Sequence, residues 1–256
     1  MTEYDSARWV LAICGIGLAY SAVRDLRAGR EYAAGGILSW DVIGAGRLRI
    51  FHPLLAWRGY RWVLTAQLIA GGCSIAVFAL PVPVAAALAW TLAAACMLTL
   101  YRSAQGLDGA DQMAALNTIA AAGALTAGGG VGRLLLAFLA GQLVLSYLIA
   151  GVAKVASPVW RNGSCLALIL STDSFGSPGL AAALRTRPAL ALLLAWGVIG
   201  FEVLFAGACA LPGVPLWSFF AAGLVLHLTI AVTMGLVNFL FAFTAAYPAL
   251  LYTVGT

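Results

Sequence analysis

Three ionisable side chains lie within or at the end of long apolar runs, where charge is energetically unfavourable. Glu202 and His227 are near the middle of two such runs, and Lys154, the only lysine of the chain, closes a third. An ionised side chain in hydrocarbon costs about 2.5 to 3.5 kcal/mol even on a lenient insertion scale, so each predicts a partner or a function. An acid, an imidazole and an amine are together suited to proton transfer.

Helical spacing predicts that Lys154 and His227 both point into a helical bundle. Each shares its helix face with small residues, which let helices approach closely: Ala150 and Gly151 beside the lysine, Gly223 and Ala231 beside the histidine. An amine packed in this way loses hydration, and Glu202 is the partner that we expect for it. The structural alternatives are a lysine that snorkels to the interface and a histidine that only links two helices.

The elements that position these groups are transmembrane helices. The chain has 256 residues, is 63% hydrophobic and only 9% charged, and has a mean hydropathy of +0.99. Several apolar runs reach the roughly 20 residues that cross a hydrocarbon core. The runs are continuous instead of alternating, which argues against a β-barrel. We therefore predict a single all-α transmembrane domain over residues 1–256, a polytopic bundle of about seven to eight helices.

The predicted spans follow the apolar runs. They lie at about residues 9–23, 62–80, 82–101, 113–127, 134–154, 188–211, 217–236 and 239–254. The first run is preceded by acids and not by a positive region, so we interpret it as a span and not as a cleaved signal peptide. The fourth is short and contains Asn117, a candidate substrate-binding residue. This span is expected to be tilted, buried among other helices or only partly crossing.

Arginines are concentrated on one side of the predicted bundle. Connections 24–61, 102–112 and 155–187 share that side and hold most of them: Arg24, Arg27, Arg30, Arg47, Arg49, Arg58, Arg61, Arg102, Arg161, Arg185 and Arg187. The positive-inside rule then places this side in the cytoplasm and the N-terminus outside, in a cytoplasmic membrane. It also explains the net charge of +5 without a nucleic-acid partner. The first connection is apolar and broken by glycines, so we expect a partly embedded segment that covers the bundle.

Further candidate residues lie near the ends of the spans. Asp111 precedes the fourth span and is either a helix-capping residue or an acid at the mouth of a cavity. Asp41 is a third candidate acid. Trp40 and Trp160 are either interfacial anchors or aromatic side chains that line a cavity. The cysteines lack CxxC spacing, and P-loop, dinucleotide and HExxH patterns are absent from the sequence, so neither a metal nor a nucleotide cofactor is predicted.

The stretch YLIAGVAKVASPVWRNG, residues 147–163, resembles the signature of the vitamin K-dependent γ-carboxylase family and its bacterial HTTM (horizontally transferred transmembrane) relatives. The matching positions are Tyr147, Ala150, Gly151, Lys154, Trp160 and Gly163. The polar connection around Asp111 before this stretch, and the spans with Glu202 and His227 after it, occur in an order similar to that of the family. The resemblance implies a base-like role for Lys154 toward a quinol. The family pattern has two lysines where this chain has Ala153 and Lys154, and the chain lacks the large soluble region of the carboxylase, so we do not expect peptide carboxylation.

Short relatives of this family include membrane cyclases of prenylated natural products. The resemblance therefore implies an enzyme that cyclises an isoprenoid by proton transfer without a cofactor, at a site that opens to membrane lipids. Glu202, Asp111 and Asp41 are the candidate proton donors, and Lys154 or His227 would tune the donor or accept the final proton. Tyr147, Trp160 and Trp40 would line the cavity and stabilise a carbocation.

Two alternatives remain at this point. In the first, Lys154 deprotonates a reduced menaquinone or vitamin K-type quinol in a carboxylase-like or oxygenase-like reaction. In the second, the protein is a non-enzymatic accessory protein for peptide maturation or immunity, and its polar residues only hold the bundle together. A homo-oligomer is compatible with each of these functions.

Overall fold

The protein is an all-α polytopic helical bundle, as the sequence predicts. A computed structural model describes residues 1–44, 49–103, 108–210 and 213–255, and these ranges contain no strand; Arg47 lies outside them. In chain order the helices are α1 (Glu3–Arg27), α2 (Gly29–Tyr32), α3 (Trp40–Ile43), α4 (His52–Leu55), α5 (Trp57–Cys73), α6 (Val82–Arg102), α7 (Gly109–Ala127), α8 (Gly129–Ala156), α9 (Pro158–Arg161), α10 (Cys165–Ile169), α11 (Pro178–Arg185), α12 (Pro188–Leu204), α13 (Val214–Met234), α14 (Val237–Thr244) and α15 (Tyr247–Val254).

Seven helical segments of the described chain are long and apolar enough to cross a membrane. They are Glu3–Arg27, Trp57–Ala79, Val82–Arg102, Gly129–Ala156, Pro188–Gly207, Pro215–Met234 and Val237–Val254. Each corresponds to a predicted span. The last consists of two helices, α14 and α15, which are separated by Ala245 and Ala246. The protein is therefore a multi-pass membrane protein.

Helix α7 crosses the bundle as an eighth, enclosed helix. Its 19 residues make it about 28 Å long, close to the roughly 30 Å of a hydrocarbon core. It packs against α1, α6, α8 and α14. Asn117 near its centre is fully buried, and the Nδ2 atom donates to the carbonyl oxygen of Ala242 at 2.7 Å. Because neighbouring helices cover it, α7 tolerates polar residues that lower its hydropathy. Of the three predicted alternatives, burial among other helices is confirmed.

The two chain termini lie at the same end of the bundle. Ser6 Oγ of α1 donates to the carbonyl oxygen of Pro248 in α15 at 3.0 Å. At the opposite end, Ser21 Oγ donates to Asn238 Oδ1 at 2.8 Å. The first and last spans are therefore antiparallel. We call the end with the Ser6–Pro248 contact the terminal end. We call the end with the Ser21–Asn238 contact the loop end, because residues 28–56, 103–108 and 157–187 connect helices there.

The first connection is fixed to the loop end by Arg102. This arginine is buried at the end of α6, and its Nε and Nη2 atoms donate to the carbonyl oxygens of Leu55 and Leu38 at 2.9 and 2.7 Å. Its guanidinium also lies over the rings of Tyr60 and Tyr32, at 4.4 and 4.7 Å from their centroids. The connection is shorter than predicted because α1 continues to Arg27. Its short helices cover part of this end of the bundle.

Candidate functional site

Lys154 and Glu202 form an ion pair between α8 and α12. Lys154 Nζ donates to both carboxylate oxygens of Glu202, at 2.8 and 2.7 Å. The Glu202 side chain is buried, whereas that of Lys154 is 19% exposed, and the amine also lies 5.0 Å from the ring centroid of Trp160. The predicted partnership of the acid and the amine is confirmed. Two hydrogen bonds from one ammonium to one carboxylate favour the ionised form of both groups.

A glycine brings these two helices close enough for the pair to form. A Cβ atom on Gly151 would lie 2.8 Å from Val203 Cγ2 and 3.1 Å from Glu202 Cβ, which is closer than side chains normally pack. Gly151 is one turn before Lys154, so the amine and the carboxylate face each other across the contact. The small residue that the sequence places on this helix face is therefore required by close packing.

Two turns before Lys154 on the same helix, Tyr147 begins a chain of hydrogen bonds through the bundle interior. Its hydroxyl group lies 2.8 Å from His227 Nε2 of α13 and 3.2 Å from the hydroxyl group of Tyr247 of α15. We call these three residues the Tyr–His relay. His227 is only 4% exposed, which confirms its predicted inward orientation, and its Nδ1 atom has no hydrogen-bond partner among the described residues.

Aromatic rings enclose the relay. His227 stacks on Phe243 with ring centroids 4.8 Å apart, and Tyr147 makes an edge contact with Phe201 at 5.2 Å. Tyr247 stacks almost parallel on Phe220, at 4.5 Å and an interplanar angle of 6°. These rings exclude water from the hydroxyl and imidazole groups, which strengthens electrostatic interactions among them.

Tyr247 also lines an apolar groove on the outer surface of the bundle. The groove lies between α1, α13 and α15 near the terminal end and has a volume of about 530 Å³. Its lining includes Trp9, Ile13, Trp217, Phe220, Leu224 and Tyr247. Among the described residues, those that line it carry no charged side chain. Because Trp9, Trp217 and Leu224 are about half exposed on the apolar surface, the groove is open to the lipid phase.

A separate polar cavity of about 510 Å³ lies at the loop end. Charged residues and a tyrosine contribute to its lining: Arg24, Asp25, Tyr32, Arg102, Asp108 and Asp111. It continues into a narrow chamber of about 60 Å³ that reaches Cys14 and Gln67 within the bundle. Lys154 is not among the residues that line this cavity. Its amine is directed at Glu202 instead.

Within the polar cavity, Arg24 and Asp25 compensate each other's charge. Arg24 Nε lies 3.0 Å from Asp25 Oδ1. Burial, with a further contribution from the Asp25 carboxylate, raises the pKa of Tyr32 to about 12. Tyr32 is therefore a neutral phenol at physiological pH.

Asp111 satisfies both interpretations that the sequence allows. It is the third residue of α7 and forms a capping box with Asp108, whose Oδ1 atom accepts from the Asp111 backbone N–H at 2.8 Å. Asp111 also lines the polar cavity. Capping and cavity lining are compatible because both place the carboxylate at the loop end of α7.

The structure brings together five of the nine predicted site residues. Those in or beside the relay and ion pair are Glu202, Lys154, His227, Tyr147 and Trp160. The other four lie elsewhere. Asp111 lines the polar cavity, Asn117 bonds to α14, Trp40 is buried 6.5 Å from the Tyr101 ring, and Asp41 is exposed in α3. Asp111 and Asp41 therefore do not line the apolar groove.

Sequence reasoning missed Tyr247 and Phe220. Tyr247 is separated by 100 residues from Tyr147, its hydrogen-bond partner, so helical periodicity gives no indication of the contact. The one available signal is the hydroxyl group itself, which is a polar group within an apolar span. Comparison with known proteins adds nothing to the assignment, since no family model, curated protein or solved structure matches this chain.

Proposed function

We propose that this protein is an integral membrane enzyme that cyclises a lipophilic isoprenoid by proton transfer. The observation that carries the proposal is the position of Tyr247, which lines the apolar groove and is joined through Tyr147 to His227. A buried relay of hydroxyl and imidazole groups at an opening to lipid places exchangeable protons beside a hydrophobic substrate.

In the proposed reaction, the enzyme gives one proton to the substrate and takes one proton back from it. Tyr247 donates a proton to the oxygen of a terminal epoxide, the C–O bond opens to a carbocation, and an internal double bond attacks to close a ring. A neighbouring C–H proton then passes directly to the Tyr247 oxygen, whose negative charge the hydrogen bond from Tyr147 stabilises until that proton arrives. The product is an isomer of the substrate, so no oxidant or reductant is consumed. An epoxide accepts a proton from a phenol more readily than an alkene does, which favours an oxidised prenyl chain.

Aromatic rings of the groove are suited to the cationic intermediate. The faces of Trp9, Trp217 and Phe220 carry the negative quadrupole that attracts a cation, with tryptophan the most effective. Because the lining lacks charged side chains, the intermediate meets no carboxylate that would capture it.

The Lys154–Glu202 ion pair has a positioning role in this proposal. It joins α8 to α12 two turns from Tyr147, and its charges neutralise each other. Glu202 does not act as the initial donor in this arrangement because its carboxylate already accepts two hydrogen bonds from the ammonium. The quinol reaction would require the pair to open so that Lys154 loses its proton. The resemblance to the γ-carboxylase and HTTM family stays a prediction.

Turnover of a defined substrate tests the proposal. Membranes containing the protein are incubated with a farnesylated phenol that carries a terminal epoxide, with and without menaquinol and oxygen, and products are identified by mass spectrometry. We expect a cyclised isomer in both conditions. A strict requirement for quinol would contradict cyclisation and support the carboxylase-like alternative. Absence of turnover in every condition would support the non-enzymatic alternative.

A further inference from the structure

We infer that the substrate of the proposed cyclase enters the apolar groove tail first, with its polar head at the terminal end of the bundle. This inference rests on the proposed function. It assigns the substrate class as an amphipathic isoprenoid whose distal units react while its polar group remains at the membrane interface.

The direction of the groove follows from α13. This helix begins at Val214 at the terminal end and runs inward, so Trp217 marks the outer part of the groove and Leu224 the inner part. On α1, Trp9 and Ile13 follow the same order. Tryptophan favours the headgroup region of a bilayer, where its ring is apolar and its N–H group is hydrated. The outer part therefore suits the boundary between a polar head and an apolar chain.

The reactive atoms lie at the inner part. Gly223, one residue before Leu224, faces the hydroxyl group of Tyr247, and a side chain at this position would collide with that hydroxyl. The hydroxyl group bonds to Tyr147, which bonds in turn to His227. The hydroxyl group of Tyr247 therefore lies at the depth of the inner residues of the groove and not at its outer rim. A head-first substrate would bury its polar group between Ile13 and Leu224, beside a Tyr247 hydroxyl group that is already bonded to Tyr147.

The depth of the groove sets how much of the chain is held. From Trp217 to Leu224, α13 rises about 10 Å at about 1.5 Å per residue. An isoprene unit adds four chain bonds of about 1.5 Å, which advance an extended chain by about 5 Å. The groove thus accommodates about two units between its rim and the relay. We expect a geranyl chain to fill it, and a farnesyl chain to extend beyond it.

Photolabelling with two matched probes tests the orientation. Both are farnesyl ethers of hydroquinone, one with a diazirine at the distal end of the chain and the other with a diazirine on the aromatic head. After irradiation in detergent micelles, labelled residues are mapped by mass spectrometry. We expect the tail probe to label the inner residues Leu224 and Tyr247, and the head probe to label Trp9 and Trp217. Reversed labelling, or equal labelling of both parts by both probes, would overturn the inference.

Chain length provides a second measurement on the unaltered protein. Unlabelled prenyl alcohols compete with the tail probe, and the concentration for half-maximal competition is compared. We expect this concentration, compared at equal mole fraction in the micelle, to fall at least about tenfold from five to ten carbons, because the second isoprene unit gains packing contacts with the inner part of the groove. From ten to fifteen carbons it falls less than about threefold. A uniform fall over both steps would contradict a groove of this depth.

A variant pair tests the inner part directly. Leu224→Trp fills the inner groove, whereas Leu228→Trp adds the same ring one turn farther along α13 at an exposed residue outside the groove lining. We expect Leu224→Trp to reduce tail labelling at least about tenfold and Leu228→Trp to leave it unchanged. Equal labelling in both would contradict the inference. A Leu224→Trp variant with a lowered thermal unfolding temperature in detergent would lose labelling through unfolding. The chain-length measurement on the unaltered protein then tests the inference in its place.

The outcomes separate this inference from the function on which it rests. Expected labelling without turnover of the epoxide would remove the cyclase function and leave the tail-first orientation in place. Turnover with reversed labelling would remove only the orientation. Absence of saturable labelling in the groove would overturn the inference, whatever the turnover result.

Discussion

At the residue scale, the structure gives the lone lysine a partner. Lys154 has an inward position because Glu202 neutralises it, and Trp160 covers the amine. An arginine would present a larger planar group with a different donor geometry. The pair is compatible with a structural or a positioning role, and stability measurements distinguish these from direct participation in chemistry.

Removing one partner of the pair is predicted to destabilise the protein more than removing both. Lys154→Met or Glu202→Leu alone leaves a buried charge without its counterion, which typically costs about 3 to 5 kcal/mol. The double variant replaces the pair with apolar contacts and should recover most of this loss. Thermal unfolding of the four proteins in detergent forms a double-mutant cycle. If the loss of stability in the double variant equals the sum of the losses in the two single variants, the ion pair is not coupled and the prediction is contradicted.

The sequence predicted the ion pair more readily than the relay. Charge in an apolar run is conspicuous, and an acid and an amine are obvious partners. Tyr247 has no such signal. Its role depends on the packing of α15 against α8 and α13, which brings together residues from distant parts of the chain. Its neighbour Phe220 has the same dependence, since any apolar side chain would satisfy the sequence pattern.

At the scale of helices, a glycine at a crossing fixes where the functional side chains meet. Gly151 of α8 lies against Val203 and Glu202 of α12. Gly141 of the same helix has no neighbour within 4 Å of an added Cβ atom. The two glycines therefore form a matched pair for testing close packing.

Gly151→Ala is predicted to destabilise the protein, whereas Gly141→Ala should be neutral or slightly stabilising. The first forces α8 and α12 apart, at a typical cost of about 1 to 3 kcal/mol. The second gains helix propensity of up to about 1 kcal/mol. Thermal unfolding of both variants in the same detergent checks the difference. Equal effects would contradict a close contact at Gly151.

Helix α7 shows why span prediction from hydropathy has a physical limit. Its polar residues reduce its hydropathy below that of a lipid-facing span, yet Asn117 and Thr118 at its centre are buried within the bundle. Asn117 is acceptable there because its amide bonds to Ala242. The apolar run over residues 113–127 predicted α7 as a helix. Its enclosure depends on tertiary packing, which the sequence alone does not specify.

At the scale of the whole molecule, the described helices separate two cavities at opposite ends of the bundle. The apolar groove opens near the terminal end, and the polar cavity lies at the loop end. Exposed arginines are concentrated at the loop end: Arg24, Arg27, Arg30, Arg49, Arg58, Arg61, Arg161, Arg185 and Arg187. We propose from this distribution that the loop end is cytoplasmic. The groove would then open toward the outer leaflet.

Reporter fusions are predicted to place both chain termini in the same compartment. Eight crossings, including α7, return the C-terminus to the side of the N-terminus, as the contact between Ser6 and Pro248 requires. A reporter active only outside the cytoplasm should therefore be active at either terminus. A fusion after Ala183, in α11 at the loop end, is the control and should be inactive. Activity at only one terminus would contradict the crossing of α7.

The central claim is that Tyr247 transfers protons to a substrate in the apolar groove, and its hydroxyl group can be removed without its ring. Tyr247→Phe keeps the stacking on Phe220 and deletes the hydroxyl group, and Tyr20→Phe deletes an exposed hydroxyl group elsewhere. The measurement is the rate of cyclised product from the farnesyl epoxide in membranes with equal amounts of folded protein. We expect Tyr247→Phe to reduce this rate about 10²-fold to 10⁴-fold, the usual contribution of a general acid or base, and Tyr20→Phe to leave it unchanged. An unaltered rate in Tyr247→Phe would contradict the account.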